Sequence, residues 1–182
     1  KKGEKITTLD GKSYELNENI LVIAGEKNPL AIAGFKGGKF AEVDKNTKKI
    51  IVESANFDGV NIHKTSKILK LSTDASLRFS HNISPELTII GLDRAAQLLN
   101  EIVDVESGQI TDVNFTKSRK RIIKFDPERF KKFIGLDLDI KTCRKYLERL
   151  GFKIKVLASQ FLVEAPALRL DIEEFEDVAE EI

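Results

Sequence analysis

Short apolar runs separated by turns predict a strand-rich start to the chain, over residues 1 to about 57. Asp10-Gly11 is a pair typical of hairpin turns. Three apolar runs of strand length follow it, at residues 20–24, 30–33 and 50–52. Continuous apolar runs of this length are typical of buried strands and not of edge strands, so we expect all three to be buried strands.

The next part of the chain is predicted to be helical. Residues 60–71 can form a short helix, and the small polar residues 72–76 predict a loop. Ser84-Pro85-Glu86 favours a helix start, because a capping hydroxyl, a proline and an early acid come in that order. The following apolar residues recur at spacings of three and four, which predicts a helix packed on a core. They are Ile89, Leu92, Ala96, Leu99 and Val103.

A basic patch after residue 116 marks a predicted domain boundary. It comprises Lys117, Arg119, Lys120, Arg121 and Lys124. Beyond it, Asp126-Pro127 begins a predicted helix that ends at Gly135, and Asp139 caps a second helix that ends before Gly151. Residues 152–156 and 161–165 then predict a hairpin. Helices joined this way, with a following hairpin, are typical of a helix-turn-helix with a wing.

The predicted fold class is therefore α+β. Residues 1–116 form a mixed or antiparallel sheet with packed helices, and residues 117–182 form a small helix-turn-helix plus hairpin domain. The composition agrees with two small globular domains, since 41% of the 182 residues are hydrophobic and 32% are charged. A net charge of +1 gives no global attraction to nucleic acid or membrane.

Two further features of the composition bear on the setting of the protein. Cys143 is the single cysteine, so an intrachain disulfide is impossible and a cytoplasmic setting is the default. It falls on the apolar face of its helix, where a packed core residue is the commoner explanation than a nucleophile. No apolar run approaches the roughly 20 residues that span a bilayer, so we expect no membrane partner.

Four stretches of the chain together resemble phenylalanyl-tRNA synthetase beta chains. They are Leu-Ala-Ile-Ala-Gly-Phe-Lys-Gly-Gly at 30–38, Ile-Val-Glu-Ser-Ala-Asn-Phe at 51–57, Ser-Thr-Asp-Ala-Ser-Leu-Arg-Phe at 72–79, and Ala-Pro, Arg-Leu-Asp-Ile and Asp-Val-Ala-Glu-Glu-Ile within 165–182. Their order and spacing over nearly the whole chain carry the resemblance. It implies that residues 1–116 are the C-terminal part of a tRNA-editing domain and that residues 117–182 are a winged-helix-like domain, truncated at its C-terminus.

The resemblance also implies a function. Such a beta subunit works with an alpha subunit, as an alpha2beta2 heterotetramer in the cytoplasm, in the ATP-dependent charging of tRNA(Phe) with phenylalanine. The editing domain hydrolyses mischarged tyrosyl-tRNA(Phe). The implied editing pocket comprises Gly34, Gly37, Glu53, Thr73 and Ala75, with the attacking water near Thr73 and Gly37.

The residue types suit this chemistry. A carboxylate such as Glu53 can accept the hydrogen bond of a tyrosine hydroxyl, whereas phenylalanine would leave that acceptor unpaired at a cost of about 1–3 kcal/mol. Gly37 and Ala75 leave room for an aromatic ring. No nucleophile triad is visible, so the resemblance fits hydrolysis by a positioned water. Without the resemblance, Gly37 would be read as a turn residue and Glu53 as a charge at a strand end.

The chain departs from the family in three places. Phe35-Lys36 stands where the family has a more apolar pair, beside the implied pocket. Ser80-His81-Asn82-Ile83 stands where the family usually carries an acid, a base, a glycine and an apolar residue. The histidine-containing segment that family editing sites also use has no match here, and neither His63 nor His81 corresponds to it. We therefore expect this segment, by itself, to be inactive or to deacylate only weakly.

For the acidic end of the chain, the resemblance implies a Mg²⁺ site shared with the alpha subunit. Its implied ligands are Asp171, Asp177, Glu180 and Glu181, and carboxylate oxygens suit Mg²⁺. ATP is expected to be used by the full enzyme and not bound by this segment. Two alternatives stay open: a solvated acidic helix face, or a helix cap at Asp171 completed by Glu174.

Two other functions compete with the editing interpretation. One is a winged-helix module that binds nucleic acid, which is favoured by the helix-turn-helix pattern and the basic patch. The second helix carries several basic residues but also Glu148, and the neighbouring tail is acidic, so these acids would repel phosphate. The last domain is alternatively a purely structural module that docks the alpha subunit.

Overall fold

The computed structural model describes residues 3–103, 105–116, 120–157 and 160–182. The chain divides into two compact units, unit 1 (residues 1–105) and unit 2 (residues 106–182). Helices and antiparallel sheets occur in both, which confirms the predicted α+β class. The predicted boundary at residue 116 stays a prediction, and Lys117 and Arg119 of the basic patch lie outside the described residues.

Unit 1 begins with two small antiparallel sheets. The first is a hairpin whose turn holds Gly11 at φ +77°, as the Asp10-Gly11 pair predicts. The second has its strands in sequential order. A bridge between Thr8 and Gly38 joins the hairpin to the end of the second sheet. The strands are β1 (Lys5–Thr7), β2 (Ser13–Glu15), β3 (Val22–Ala24), β4 (Pro29–Ile32) and β5 (Lys36–Gly37), followed by a 3-10 turn at Lys39–Ala41.

Helices make up most of the rest of unit 1: α1 (Gly59–Leu69), α2 (Asp74–Ser80) and α3 (Leu87–Ile102). Asp58 caps α1 by accepting from the Asn61 amide at 2.7 Å. Thr73 caps α2 in the same way, accepting from the Ser76 amide at 3.1 Å. The predicted loop at residues 72–76 is therefore wrong from Asp74 onward, because these small polar residues form a capping box that starts a helix.

Two packing predictions for unit 1 are also wrong. Residues 50–52 are not a buried strand: they form no ladder, and the Ile51 side chain is 98% exposed. The α3 helix is present, but none of its residues is buried, and Ile89 and Val103 are exposed. An apolar pattern shows that a segment can be buried, whereas burial itself requires a neighbour to pack against.

Unit 2 places three helices around one antiparallel sheet of order β6-β8-β7. Asp126 and Asp139 cap the first two helices, and Gly135 ends the first at φ +85°, as predicted. The hairpin β7–β8 is confirmed, but β6 was missed because its alternating burial lies inside the basic patch. The elements are β6 (Ile122–Phe125), α4 (Pro127–Ile134), α5 (Ile140–Arg149), β7 (Lys153–Leu157), β8 (Gln160–Glu164) and α6 (Phe175–Glu180).

Phe125 lies at the centre of the core of unit 2. Its ring stacks on Phe161 and Phe175, with ring centroids 5.3 and 5.2 Å away, and contacts Phe130 at 5.6 Å. Cys143 is buried in the same cluster, and burial raises the pKa of its thiol. One aromatic side chain thus ties two strands and two helices together. Across the described ranges, no helix is long and apolar enough to cross a membrane.

Replacing Phe125 with alanine should lower the free energy of unfolding of unit 2 by about 3–5 kcal/mol, because the cavity cannot collapse against three other rings. Urea unfolding followed by circular dichroism measures this. Phe115→Ala is the matched control, since that ring is 93% exposed, and its effect should stay within about 0.5 kcal/mol. Equal effects of the two substitutions would contradict this account of the core.

Candidate functional site

Three segments of unit 1 meet at Gly34, in the turn between β4 and β5. The residue has φ +75°, a backbone conformation that glycine adopts without steric strain. A Cβ at this position would lie 2.7 Å from Ile62 Cδ1, 3.3 Å from the Phe57 ring and 3.4 Å from the Phe79 ring. The Phe57 and Phe79 rings themselves meet edge to face, with centroids 5.0 Å apart. The stretches at 30–38, 51–57 and 72–79 therefore converge on one point.

Thr73 is tied to the same turn. Its hydroxyl donates to the Phe35 carbonyl at 3.3 Å while it caps α2, and its amide donates to the Ser76 hydroxyl at 2.9 Å. The side chain is half-buried. Gly34 and Thr73, both predicted site residues, are thus held next to each other by a backbone turn and a helix start.

The other predicted pocket residues are not joined to Thr73 by a hydrogen bond or ion pair within the described part of the chain. Gly37 pairs with Ala31 in the sheet, and the direction its Cβ would take is filled by Leu9 Cδ1 at 3.1 Å. Ala75 is exposed in the first turn of α2. Their membership of one pocket with Gly34 and Thr73 stays a prediction.

Glu53 lies in an exposed segment that forms no strand. Nearby hydrogen bonds anchor this segment: the Ser54 hydroxyl donates to the Thr88 carbonyl at 2.7 Å, and the Asn56 amide donates to the Ile83 carbonyl at 2.6 Å. Partial desolvation by the surrounding protein raises the pKa of the Glu53 carboxyl above its ordinary value.

Neither histidine provides a base beside Thr73. His81 follows the last turn of α2, where its Nδ1 lies 2.7 Å from the Leu77 carbonyl, and His63 is exposed on α1. Among the described residues, Thr73 bonds to the Phe35 carbonyl, the Ser76 backbone amide and the Ser76 hydroxyl. Such groups can position a substrate and a water, but they supply no strong base.

In unit 2, Arg169 binds two of the four predicted metal ligands. Its Nε and Nη2 donate to the Asp171 carboxylate at 2.9 and 2.6 Å, and Nη2 also donates to Glu181. These bonds hold the pKa values of both carboxyls below their usual range and raise the pKa of Arg169. The sequence analysis did not predict this role for Arg169. The signal available in the sequence was a basic residue two positions before Asp171, the first acid of the acidic run.

Asp177, the third predicted ligand, is the N3 residue of a capping box at the start of α6, whose N-cap residue is Glu174. Its Oδ2 accepts from the backbone amides of Glu173 and Glu174, both at 2.8 Å, and these bonds lower its pKa. The helix begins at Phe175, so the alternative of a cap at Asp171 is wrong. The cap lies inside the acidic run because the chain turns into the helix only after Glu174.

As arranged, these carboxylates do not fit a magnesium ion. Arg169 already neutralises Asp171 and Glu181, and Asp177 is engaged by backbone amides. In the ranges that the structure describes, no group of three or more His, Cys, Asp or Glu side chains could hold a metal ion. The role of Asp171, Asp177, Glu180 and Glu181 as ligands stays a prediction.

Two more arginines hold the acidic segment against the rest of unit 2. Arg129 lies over the Phe175 ring, 4.0 Å from its centroid, and pairs with Glu176. Arg121 donates to the Leu170 carbonyl at 2.8 Å. Within the described residues, Arg169 and Arg129 thus pair with three of the seven acids of the run, which are Asp171, Glu176 and Glu181.

With this geometry described, comparison with known proteins gives the family. The B3/4 domain family matches residues 1–104, and the tRNA synthetase B5 domain family matches residues 123–182. The chain belongs to the phenylalanine–tRNA ligase beta-subunit family. This confirms the resemblance on which the sequence interpretation rests.

Similar curated proteins span the whole chain. A phenylalanine–tRNA ligase beta subunit of Carboxydothermus hydrogenoformans is 39% identical over 181 residues, which is 99% of this chain and 23% of the relative. That of Clostridium acetobutylicum is 40% identical over 187 residues, covering 100% of this chain and 23% of the relative. A Brucella suis relative is 33% identical over 180 residues, 99% of this chain and 22% of its own length. The chain thus spans about a quarter of these relatives.

Gly34→Ala should destabilise unit 1 by roughly 1–3 kcal/mol, because the new Cβ combines a positive φ with a 2.7 Å approach to Ile62. Thermal unfolding of the variant measures the loss. Gly25→Ala is the matched control, since its Cβ would meet only ordinary contacts from 3.7 Å outward. If both variants lose the same amount of thermal stability, the close approach at Gly34 does not contribute to the stability of unit 1.

Arg169→Ala should reduce the free energy of unfolding at pH 7 by roughly 1–3 kcal/mol, since it leaves two carboxylates without their cation. Because Arg169 depresses both pKa values, its contribution is present above the ordinary values of 3.8 and 4.5 and is lost as pH falls through the lowered ones. The difference between wild type and variant should therefore shrink below about pH 4.

Urea unfolding between pH 2 and pH 8 measures this difference. Arg149→Ala is the control, because Arg149 is exposed and makes no ion pair with a described residue. A gap between wild type and Arg169→Ala that does not change with pH would contradict the electrostatic account.

Proposed function

We propose that unit 1 forms part of the editing site of a phenylalanine–tRNA ligase, which hydrolyses tyrosyl-tRNA(Phe). The observation that carries the proposal is the convergence at Gly34. Phe57 and Phe79 pack on that turn, and the Thr73 hydroxyl bonds to the next residue along it. Residues far apart along the chain thereby supply an aromatic wall and a polar group next to each other.

Selection for tyrosine is the task of Glu53 in this proposal. A synthetic pocket that accepts phenylalanine rejects an added hydroxyl only weakly, so a second site must recognise that hydroxyl. The Glu53 carboxyl is already partly desolvated, which strengthens any hydrogen bond it makes with a phenol. Phe57, four residues later, ties its segment to the Gly34 turn.

Hydrolysis then relies on a positioned water. Among the described residues, the groups bonded to Thr73 include no strong base, so the protein contributes orientation and polarisation. Gly37 and Ala75 line the approach of the aminoacyl ester, with the water held near Thr73 and Gly37. This is also why the 182 residues are expected to deacylate weakly when they act alone.

The whole ligase supplies what this chain does not. We infer an alpha subunit as partner, in an alpha2beta2 heterotetramer that charges tRNA(Phe) in the cytoplasm and uses ATP. Mg²⁺ belongs to this wider assembly. Arg169 occupies two of the implied ligands here, so a metal ion would require oxygen ligands from the alpha subunit and release of that arginine.

Nucleic-acid binding by unit 2 is the weaker alternative. Several of its basic side chains form ion pairs with acidic ones. Arg144 pairs with Glu148 at 2.7 Å, Arg129 with Glu176, and Lys131 with Asp137. Lysines and arginines already in ion pairs release fewer counterions from a phosphate backbone than unpaired ones do. A docking role toward the alpha subunit suits such a neutralised surface better.

Glu53→Ala in the complete ligase should slow deacylation of tyrosyl-tRNA(Phe) by roughly 10- to 100-fold, which corresponds to loss of one hydrogen bond to a carboxylate, about 1–3 kcal/mol. Aminoacylation with phenylalanine should be unchanged. Release of radiolabelled tyrosine from preformed tyrosyl-tRNA measures the first rate.

Glu26→Ala is the matched control, since it removes an exposed acid elsewhere in unit 1. Unchanged hydrolysis in Glu53→Ala, together with normal folding, would remove Glu53 from the editing site.

A further inference from the structure

The turn between β1 and β2 is fastened to β5, the strand that contains Gly37. The Leu9 amide donates to the Gly37 carbonyl at 3.0 Å, and Thr8 forms a bridge with Gly38. Thr8 is fully buried, so the turn is anchored within unit 1. These contacts place the hairpin turn beside one of the two residues that hold the attacking water in the proposed editing site.

An ion pair adds to this attachment. Asp10 Oδ2 accepts from Lys36 Nζ at 3.0 Å, while Asp10 Oδ1 accepts from the Thr8 hydroxyl. The Thr8 hydroxyl first, and Lys36 second, lower the pKa of Asp10 to about 2, so the carboxylate is charged at neutral pH. Its two oxygens are divided between the hairpin turn and β5. The lysine that it binds immediately precedes Gly37 in the chain.

The same short stretch of chain is also held by α2. The Thr73 hydroxyl donates to the Phe35 carbonyl at 3.3 Å, one residue before Lys36. Phe35, Lys36 and Gly37 therefore each bond to a distant segment, which is the start of α2 for the first and the hairpin turn for the other two. The hairpin turn and Thr73 together set the position of the backbone at Gly37.

The ion pair contributes more to position than to stability. Its side chains are partly open to solvent, 27% for Lys36 and 33% for Asp10, and pairs of this kind contribute little to folding. The rate of a reaction depends more steeply on position, since a misplacement of about 1 Å can slow it about 100-fold. Because Lys36 stands where the family has a more apolar pair, this contact is not a general feature of the family.

We propose that Asp10 and Lys36 are positioning residues for the hydrolysis of tyrosyl-tRNA(Phe). Their ion pair holds β5 against the hairpin turn, and this keeps the Gly37 backbone where it orients the attacking water. Neither side chain touches the substrate, and both act through Gly37. The inference rests on the proposed editing function, and it adds two residues that the resemblance does not include.

Lys36→Met in the complete ligase tests the proposal, because it keeps a long side chain and removes the charge. The kcat for deacylation of tyrosyl-tRNA(Phe) should fall roughly 3- to 10-fold with KM unchanged, the pattern expected when only the transition state loses an interaction. Lys36→Arg should keep kcat within about 2-fold, since either cation can form this single contact. Aminoacylation should be unchanged, and the melting temperature should fall by no more than about 4 °C.

A second substitution removes the ion pair from its other side. Asp10→Asn takes away the charge but leaves an oxygen to accept from Thr8. Combined with Lys36→Met, it should slow deacylation no more than either substitution alone, because both remove one pair. Lys39→Met is the matched control, since Lys39 pairs with Glu42 in the same unit and outside the hairpin turn. Its kcat should match that of the wild type.

Unchanged kcat in Lys36→Met would overturn the proposal, and so would an equal loss in Lys39→Met or a rise in KM alone. Losses that add in the double variant would show that the two residues do not act as a pair. If Glu53→Ala slows deacylation and Lys36→Met does not, the positioning role fails while the editing proposal stands. If the wild-type ligase does not deacylate tyrosyl-tRNA(Phe), both fail.

Discussion

The structure of unit 1 depends on the close approach of three segments at Gly34. Only a residue without a side chain allows Ile62, Phe57 and Phe79 to reach the turn between β4 and β5, and only glycine adopts its positive φ without strain. The contact holds the start of α1 and the end of α2 against the sheet. It also presents Thr73 to the turn through a backbone carbonyl. The turn at Gly34 and Phe35 is therefore part of both the packing of unit 1 and the candidate editing site.

Unit 2 depends on a different kind of constraint, which is the neutralisation of its own acidic end. Seven acids and no base between Asp171 and Ile182 would repel one another if left alone. Arg169, Arg129 and Arg121 approach that run from three places, and Asp177 turns its charge toward the amides at the start of α6. Three of the four implied metal ligands, Asp171, Asp177 and Glu181, thus already have partners within their own unit. An alpha subunit that delivered Mg²⁺ would have to compete with these contacts.

Local patterns predicted the elements better than their packing. The hairpin at Asp10-Gly11, the caps at Asp126 and Asp139 and the glycine ends of the helices in unit 2 were all readable, because each depends on residues close together in the chain. The segment at residues 50–52 and the apolar face of α3 were misread, since their burial depends on neighbours that the described residues do not provide. Strand β6 was hidden by the basic residues around it.

The candidate site divides in the same way. The sequence by itself determined the family, the order of its domains and the residue types available for chemistry, because these follow from the identity and spacing of side chains. Only the tertiary structure decided that Phe57 and Phe79 meet at Gly34 and that Arg169 occupies Asp171 and Glu181. Such contacts join residues that are distant along the chain or depend on which side of an element faces solvent, and three-dimensional packing alone sets both.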